Sequence, residues 1–150
     1  MNPGLILFSE NSGKTPPRPA SSAGPAPASD QGRRRILVVD DQRLIADTLA
    51  EILNEAGFAA AAAYDAWEAL EIASRFQPDW LLSDVLMPHM NGVALAIEIR
   101  KRHPSTAILL LSGQAGIGEI LQEAHAQGYH FELLAKPIHP RELLDRLKQP

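Results

Sequence analysis

Five short apolar runs alternate with five segments of helical periodicity over most of this chain. The runs read RILVV, FAAAAA, DWLLSD, AILLLS and FELLA. Glycine or proline ends each of the first four helical segments, at Gly57, Pro78, Pro104 and Gly128. Strands that alternate with helices predict a parallel sheet covered by helices on both faces. The expected fold class is therefore α/β, with a doubly wound five-stranded sheet.

The run FAAAAA is the ambiguous element, because alanine favours helix and the run has no polar residue to mark a face. Its position is more informative than its composition. It lies between the helix stop at Gly57 and a helix cap at Tyr64–Asp65. We therefore expect a short strand here.

The N-terminal segment differs in composition from the rest of the chain. Residues 1–32 hold six of the 12 prolines, and the stretch PPRPASSAGPAPASDQG has almost no large apolar side chain. Such a segment cannot bury enough surface to offset the entropy lost on ordering. We expect a disordered leader at residues 1–33, followed by one compact domain at residues 34–149.

Composition excludes several classes of protein. The chain has 150 residues, no cysteine and a formal net charge of −4. Disulfides and thiolate zinc sites are thus excluded, and bulk charge gives no support for direct nucleic-acid binding. No apolar run approaches the roughly 20 residues that cross a bilayer. We expect a cytoplasmic protein without a membrane partner.

Polar residues cluster where the predicted strands end. Asp40 and Asp41 follow the first strand, Asp84 ends the third, Ser112 ends the fourth, and Lys136 follows the fifth. In a parallel α/β sheet, ligands bind outside the carboxyl ends of the strands. The sequence therefore predicts one site that contains three carboxylates, a hydroxyl and an ammonium group.

The adjacent carboxylates of Asp40 and Asp41 repel each other, so their placement side by side requires an explanation. Two unit charges about 4 Å apart repel by roughly 4 kcal/mol at an effective dielectric of 20. A hard divalent cation such as Mg²⁺ relieves this repulsion, and it keeps waters that a phosphoryl oxygen can replace. The lysine and the hydroxyl would then bind the remaining phosphoryl oxygens.

These residues resemble the receiver domain of two-component response regulators. The matching pieces are Asp40–Asp41, DVLMPHMNG from Asp84 to Gly92, Ser112–Gly113 and Lys136–Pro137. The resemblance covers about residues 34–149. It implies a flavodoxin-like fold with five helices and the strand order 2-1-3-4-5.

The resemblance implies a role for each polar residue in phosphoryl transfer. Asp84 would be the phosphoacceptor, Lys136 would pair with the phosphoryl group, and Ser112 would donate a hydrogen bond to it. Gly113 would leave room for the phosphodonor. A cis peptide before Pro137 would aim the lysine.

The resemblance also implies a Mg²⁺ site. Asp41 and Asp84 would bind the ion directly, and the backbone carbonyl of Leu86 would be the third protein ligand. Asp40 would act through the water molecules of the ion.

A receiver domain implies partners. The phosphodonor would be a histidine kinase or a histidine phosphotransfer protein, and an unknown downstream protein would receive the signal. A homodimer through helix four, strand five and helix five is an open possibility. The chain ends just after helix five, so we expect no output domain and no enzymatic activity beyond its own phosphorylation and dephosphorylation.

Two other classes of function compete with this interpretation. The first is a pseudo-receiver that binds proteins independently of phosphorylation, and the retained site residues argue against it. The second is an aspartyl-phosphate phosphatase of the haloacid dehalogenase type. That enzyme needs an aspartate two residues after its nucleophile, but Leu86 follows Asp84 and Gln42 follows Asp40 at that spacing.

One residue departs from the family pattern. The family usually has Phe or Tyr three residues before the lysine, where the ring reports phosphorylation to the outer face of the domain. Here that residue is Leu133, whereas Phe131 and Tyr129 lie earlier in the chain. The chemistry is thus expected to be intact, and the output relay is in question.

Overall fold

The computed structural model of the chain describes residues 32–113 and 117–149. Arg34–Pro150 forms one compact unit. The predicted disordered leader at residues 1–33 lies outside the described residues except for Gly32 and Arg33.

Five parallel strands form a single sheet in the order β2-β1-β3-β4-β5. The strands are β1 (Arg35–Val39), β2 (Ala59–Ala63), β3 (Trp80–Asp84), β4 (Ala107–Ser112) and β5 (Glu132–Ala135). The helices are α1 (Arg43–Glu55), α2 (Ala66–Phe76), α3 (Gly92–Arg102), α4 (Gly118–Ala126) and α5 (Pro140–Lys148). The predicted α/β class, the helix count and the strand order are all confirmed.

Successive residues of β1 supply the two sides of the core. Leu37 and Val39 pack with residues of α2, α3 and α4, whereas Ile36 and Val38 pack with residues of α1 and α5. All four side chains are fully or almost fully buried. This two-sided burial explains why β1 is apolar from Ile36 to Val39 and does not alternate with polar residues.

The all-alanine segment is strand β2, as its position in the sequence predicted. It pairs with β1 in parallel register, from Arg35 opposite Ala59 to Val39 opposite Ala63. Gly57 has a φ of 102°, which only glycine adopts easily, so α1 ends there and the chain turns toward β2. The side chain of Asp65 accepts a hydrogen bond from the Glu68 N–H and caps α2. These two flanking signals override the helix propensity of alanine.

The helices of this unit are short. The longest helix has 13 residues. Within residues 32–113 and 117–149, no helix is both long enough and apolar enough to cross a membrane.

Candidate functional site

Three carboxylates meet at the carboxyl ends of β1 and β3. Asp40 and Asp41 follow β1, and Asp84 is the last residue of β3. One carboxylate oxygen from each of the three lies within 4.8 Å of the other two. We call these three residues the acidic edge. The sequence predicted this juxtaposition from strand ends alone.

Asp40 is the most enclosed member of the acidic edge. The residue is only 1% exposed, although Asp41 beside it is exposed and Asp84 is half-buried. Its Oδ1 accepts a hydrogen bond from the Gln42 N–H at 2.9 Å. That bond holds the turn between β1 and α1, where Gln42 itself provides no side-chain cap. Asp40 therefore has a structural contact that sequence analysis did not predict.

Lys136 lies between two members of the acidic edge. Its Nζ is 3.5 Å from Oδ2 of Asp40 and 3.5 Å from Oδ1 of Asp84. Its backbone N–H donates to the Ser112 carbonyl oxygen at 2.8 Å, which joins the ends of β4 and β5. The peptide bond from Lys136 to Pro137 is cis, as the resemblance implied. The predicted lysine and serine therefore lie at the same edge of the sheet as the acids.

The environment of Asp84 disfavours its charged form. Burial is the largest cause and raises the pKa of this carboxyl above its ordinary value. The ammonium group of Lys136 acts in the opposite direction, and the negative charges of Asp40 and Asp41 raise the pKa further. A bound cation would therefore favour ionised Asp84.

Two glycines give this site the space that it needs. A Cβ on Gly92 would lie 2.0 Å from the carbonyl oxygen of Asp84, which is a severe clash with backbone. The Gly92 N–H also donates to the Val85 carbonyl oxygen at 2.7 Å. A Cβ on Gly113 would lie 3.2 Å from Cβ of Lys136. Sequence analysis named Gly92 only as the last residue of the matching motif DVLMPHMNG, since a close approach between backbone segments leaves no local pattern.

Comparison with known proteins agrees with this geometry. The sequence model of the family described as the response regulator receiver domain matches residues 36–148 of this chain. The chain belongs to this family. Receiver domains are signalling modules of two-component systems and not conventional enzymes. They interact in general with histidine kinases or phosphotransfer proteins.

Solved receiver domains have the same fold. The Vibrio cholerae chemotaxis protein CheY4 is 32% identical, with a TM-score of 0.69, and the match covers 78% of this chain and 98% of that one. The signal receiver domain of an HD domain-containing protein from Pseudomonas fluorescens is 32% identical, with a TM-score of 0.70 and coverage of 78% and 93%. A CheY-like receiver domain from Methanospirillum hungatei is 28% identical, with a TM-score of 0.70 and coverage of 78% and 92%.

The donor set of this receiver domain fits Mg²⁺. Receiver domains typically bind this ion in an acidic pocket, and the acidic edge offers three carboxylates close together. Carboxylate oxygens are the ligands that hard divalent cations prefer. Leu86, the predicted carbonyl ligand, lies two residues beyond Asp84 in the loop that leads to α3.

Position 133 of the receiver domain carries no ring. Leu133 is half-buried, pairs with Leu110 of β4 and packs against the core beneath α3 and α4. The rings of Tyr129 and Phe131 stack on each other with centroids 6.1 Å apart. The guanidinium carbon of Arg100 lies 5.5 Å from the Phe131 ring centroid. The aromatic side chains nearest to Leu133 in sequence are thus engaged with each other and with α3.

Proposed function

We propose that this receiver domain accepts a phosphoryl group on Asp84 in a Mg²⁺-dependent reaction, and that the resulting aspartyl phosphate regulates contacts with other proteins. The single observation that carries the proposal is the packing of the acidic edge around one site. Three carboxylate oxygens lie within 4.8 Å of one another, with the Lys136 ammonium group 3.5 Å from two of these residues.

Asp84 is the member of this group best placed to act as nucleophile. It is half-buried and therefore accessible, whereas Asp40 is enclosed and already bonded to the Gln42 N–H. In the reaction, a carboxylate oxygen of Asp84 forms a bond to phosphorus as the bond from phosphorus to the nitrogen of a phosphohistidine breaks. The electron pair of that bond leaves with the imidazole.

Lys136 and Ser112 complete the binding of the transferred group. The ammonium group already lies beside Asp84 and can pair with the phosphoryl oxygens. We assign the Ser112 hydroxyl as a hydrogen-bond donor to the same group, since Ser112 ends β4 and its carbonyl is bonded to the Lys136 N–H.

Asp41, Asp84 and the Leu86 carbonyl would hold Mg²⁺, and Asp40 would act through water. When bound, the ion supplies positive charge that neutralises both the acidic edge and the incoming phosphoryl group. Burial and the acidic neighbours raise the pKa of Asp84, the Lys136 ammonium group acts against this shift, and the cation would act against it further.

We also propose partners and a cellular location for the domain. The phosphodonor would be a histidine kinase or a histidine phosphotransfer protein in the cytoplasm, and an unidentified protein would bind the phosphorylated form. Homodimerisation would use the surface of α4, β5 and α5. The domain would also catalyse loss of its own phosphoryl group.

Intact-protein mass spectrometry tests the proposal with acetyl phosphate as a small phosphodonor. The wild type in Mg²⁺ should gain the mass of one phosphoryl group. A chelator should prevent the gain, because the charge needed at the acidic edge is removed. Asp84→Asn should also prevent it, because the amide is no nucleophile.

Asp145→Asn provides a matched control, since it makes the same chemical change at an exposed position on α5. This variant should gain the phosphoryl group as the wild type does. Full modification of the Asp84→Asn variant would show that another residue is the acceptor. A wild type that stays unmodified would favour a phosphorylation-independent binding module.

A further inference from the structure

Two exposed histidines lie in contact where the chain passes from α4 to β5. The ring centroids of His125, on α4, and His130, which precedes β5, are 4.5 Å apart, and the ring planes are tilted by 33°. We call these two residues the histidine pair. Residues three or four positions apart are the ones that meet on a helix, so this contact depends on the turn that follows α4.

Backbone hydrogen bonds hold this turn in place. Gly128 has a φ of 91°, and its N–H donates to the His125 carbonyl oxygen at 2.9 Å. The Tyr129 N–H donates to the Ala124 carbonyl oxygen at 2.9 Å. A glycine with positive φ and bonds of this kind are typical of a helix end. The backbone therefore sets the position of His130 relative to His125, and the ring contact does not rely on the side chains alone.

The imidazole nitrogens of the histidine pair are not engaged elsewhere. Within residues 32–113 and 117–149, neither of the two side chains makes a hydrogen bond or an ion pair. The carboxylate of Glu132, two residues beyond His130, is paired with Arg146. A neutral imidazole has one nitrogen whose lone pair can bind a metal ion. The histidine pair therefore offers two such nitrogens side by side.

Imidazole nitrogens suit a different cation from the one that the acidic edge suits. Zn²⁺ and other late divalent transition metals bind imidazole, whereas Mg²⁺ prefers oxygen ligands. A Zn–N bond is about 2.0–2.1 Å long, so two nitrogens that share one ion lie within about 4 Å of each other. Rings with centroids 4.5 Å apart, on exposed side chains that can rotate, meet this requirement.

We propose that His125 and His130 together bind one late divalent transition metal ion, such as Zn²⁺, with water molecules at its remaining positions. The ion would join the end of α4 to the residue that leads into β5. This second metal site would lie at the opposite end of β5 from Lys136, since His130 precedes the strand and Lys136 follows it. Neither imidazole takes part in phosphoryl transfer, so the inference does not rest on the proposed function.

Calorimetric titration of the full chain with ZnCl₂, in excess MgCl₂ to limit zinc binding at the acidic edge, tests the inference. His125→Ala and His130→Ala should each raise the Zn²⁺ dissociation constant at least about tenfold, because the loss of even an outer partner of a metal ligand costs 10–100-fold. The double variant should resemble the single variants, because two nitrogens that share one ion do not contribute independently.

His139→Ala is the matched control, because it makes the same chemical change at an exposed histidine outside the pair. Its Zn²⁺ affinity should equal that of the wild type. A second measurement needs no substitution and therefore does not depend on the folding of a variant. In the wild type, one equivalent of ZnCl₂ should shift the imidazole NMR signals of His125 and His130 together and should leave those of His139 unchanged.

Three results would contradict the inference. Equal Zn²⁺ affinity in the wild type and in both single variants would show that zinc binds elsewhere on the chain. If the losses of the two single variants add up in the double variant, each imidazole binds zinc by itself. Imidazole signals of the wild type that do not move with ZnCl₂ would show that the two rings only pack against each other.

Discussion

The acidic edge and the β5 segment, residues 129–134, lie in the same receiver domain but follow the family pattern to different degrees. At the acidic edge, each predicted acid lies at a strand end, and Lys136 bridges Asp40 and Asp84. In the β5 segment, a leucine replaces the expected ring, and the nearby rings of Tyr129 and Phe131 stack on each other. Charged side chains in contact with one another make up the acidic edge, whereas packing of apolar and aromatic side chains makes up the β5 segment.

This difference between the two regions means that phosphoryl transfer and the transmission of the signal through β5 have separate structural requirements. Phosphoryl transfer requires charged groups in fixed places, and the strand ends provide these places. A relay requires contacts that differ between two states. Leu133 has no hydroxyl to bond in either state, and its apolar contacts to the core suit one arrangement. We therefore expect a domain that keeps the chemistry of the family while its β5 segment transmits little.

The largest expected effect concerns the backbone contact that shapes the acidic edge. Gly92→Ala should destabilise the domain by about 1–3 kcal/mol or more, the usual cost of overpacking, because the new Cβ would clash with the Asp84 carbonyl oxygen. Urea denaturation followed by circular dichroism measures the change. Unaltered stability would mean that the close approach between β3 and α3 does not exist in solution.

Gly118→Ala is the control for that substitution, and it lies at the start of α4. A Cβ on Gly118 meets no atom within 4 Å. Because alanine is the better helix former, this variant should be as stable as the wild type or more stable by about 0.5–1 kcal/mol. Equal losses in both glycine variants would show that the cost at Gly92 does not come from the clash with the Asp84 carbonyl oxygen.

The next prediction concerns the pH dependence of stability without metal. Because burial and its acidic neighbours raise the pKa of Asp84 more than Lys136 lowers it, the folded state holds this proton more tightly than the unfolded state does. The resulting stabilisation is present below the ordinary aspartate pKa of about 3.9 and is lost as pH rises through the raised value. In a chelator, the stability of the wild type relative to Asp84→Asn should therefore fall as pH rises.

Urea titrations of both proteins at a series of acidic and neutral pH values measure this difference. Replacement of the chelator by Mg²⁺ should reverse the trend, since the cation favours the ionised carboxylate. If the difference in stability between the wild type and Asp84→Asn stays constant with pH in the chelator, the environment of Asp84 does not raise its pKa.

The smallest expected effect is at Leu133. With beryllofluoride as a phosphoryl mimic, backbone amide NMR shifts should change strongly around Asp84 and Lys136 and little from Phe131 to Leu134. Leu133→Tyr should leave phosphoryl acceptance unchanged and should enlarge the shifts of the β5 segment. Large changes in the amide NMR shifts of β5 in the wild type, with no further effect of Leu133→Tyr, would refute the proposal that the β5 segment transmits little of the signal.

Much of the fold could be predicted because its signals are local. The apolar runs, the glycine and proline stops and the cap at Asp65 lie within a few residues of the elements that they define. Even β2 could be predicted, since Gly57 and Asp65 fixed its ends when alanine propensity pointed to helix. Strand order needed more than periodicity, and it came from the resemblance to the family.

The juxtaposition of the candidate site residues could also be predicted, because parallel strands bring their carboxyl ends to one edge. The contacts that these residues make could not be predicted. The hydrogen bond from the Gln42 N–H to Asp40 depends on the geometry of one turn. The fit of Gly92 against Asp84, and that of Arg43 against Tyr64, each depend on how one element packs on another. No pattern in the sequence encodes such approaches.

The most direct test of the central claim is chemical localisation of the phosphoryl group. Borohydride reduces an aspartyl phosphate to homoserine, so treatment of the phosphorylated wild type followed by peptide mass spectrometry identifies the acceptor. We expect homoserine at position 84, and only when Mg²⁺ was present during phosphorylation. Homoserine at Asp40, Asp41 or any other aspartate, with none at position 84, would contradict the proposal that Asp84 is the phosphoacceptor.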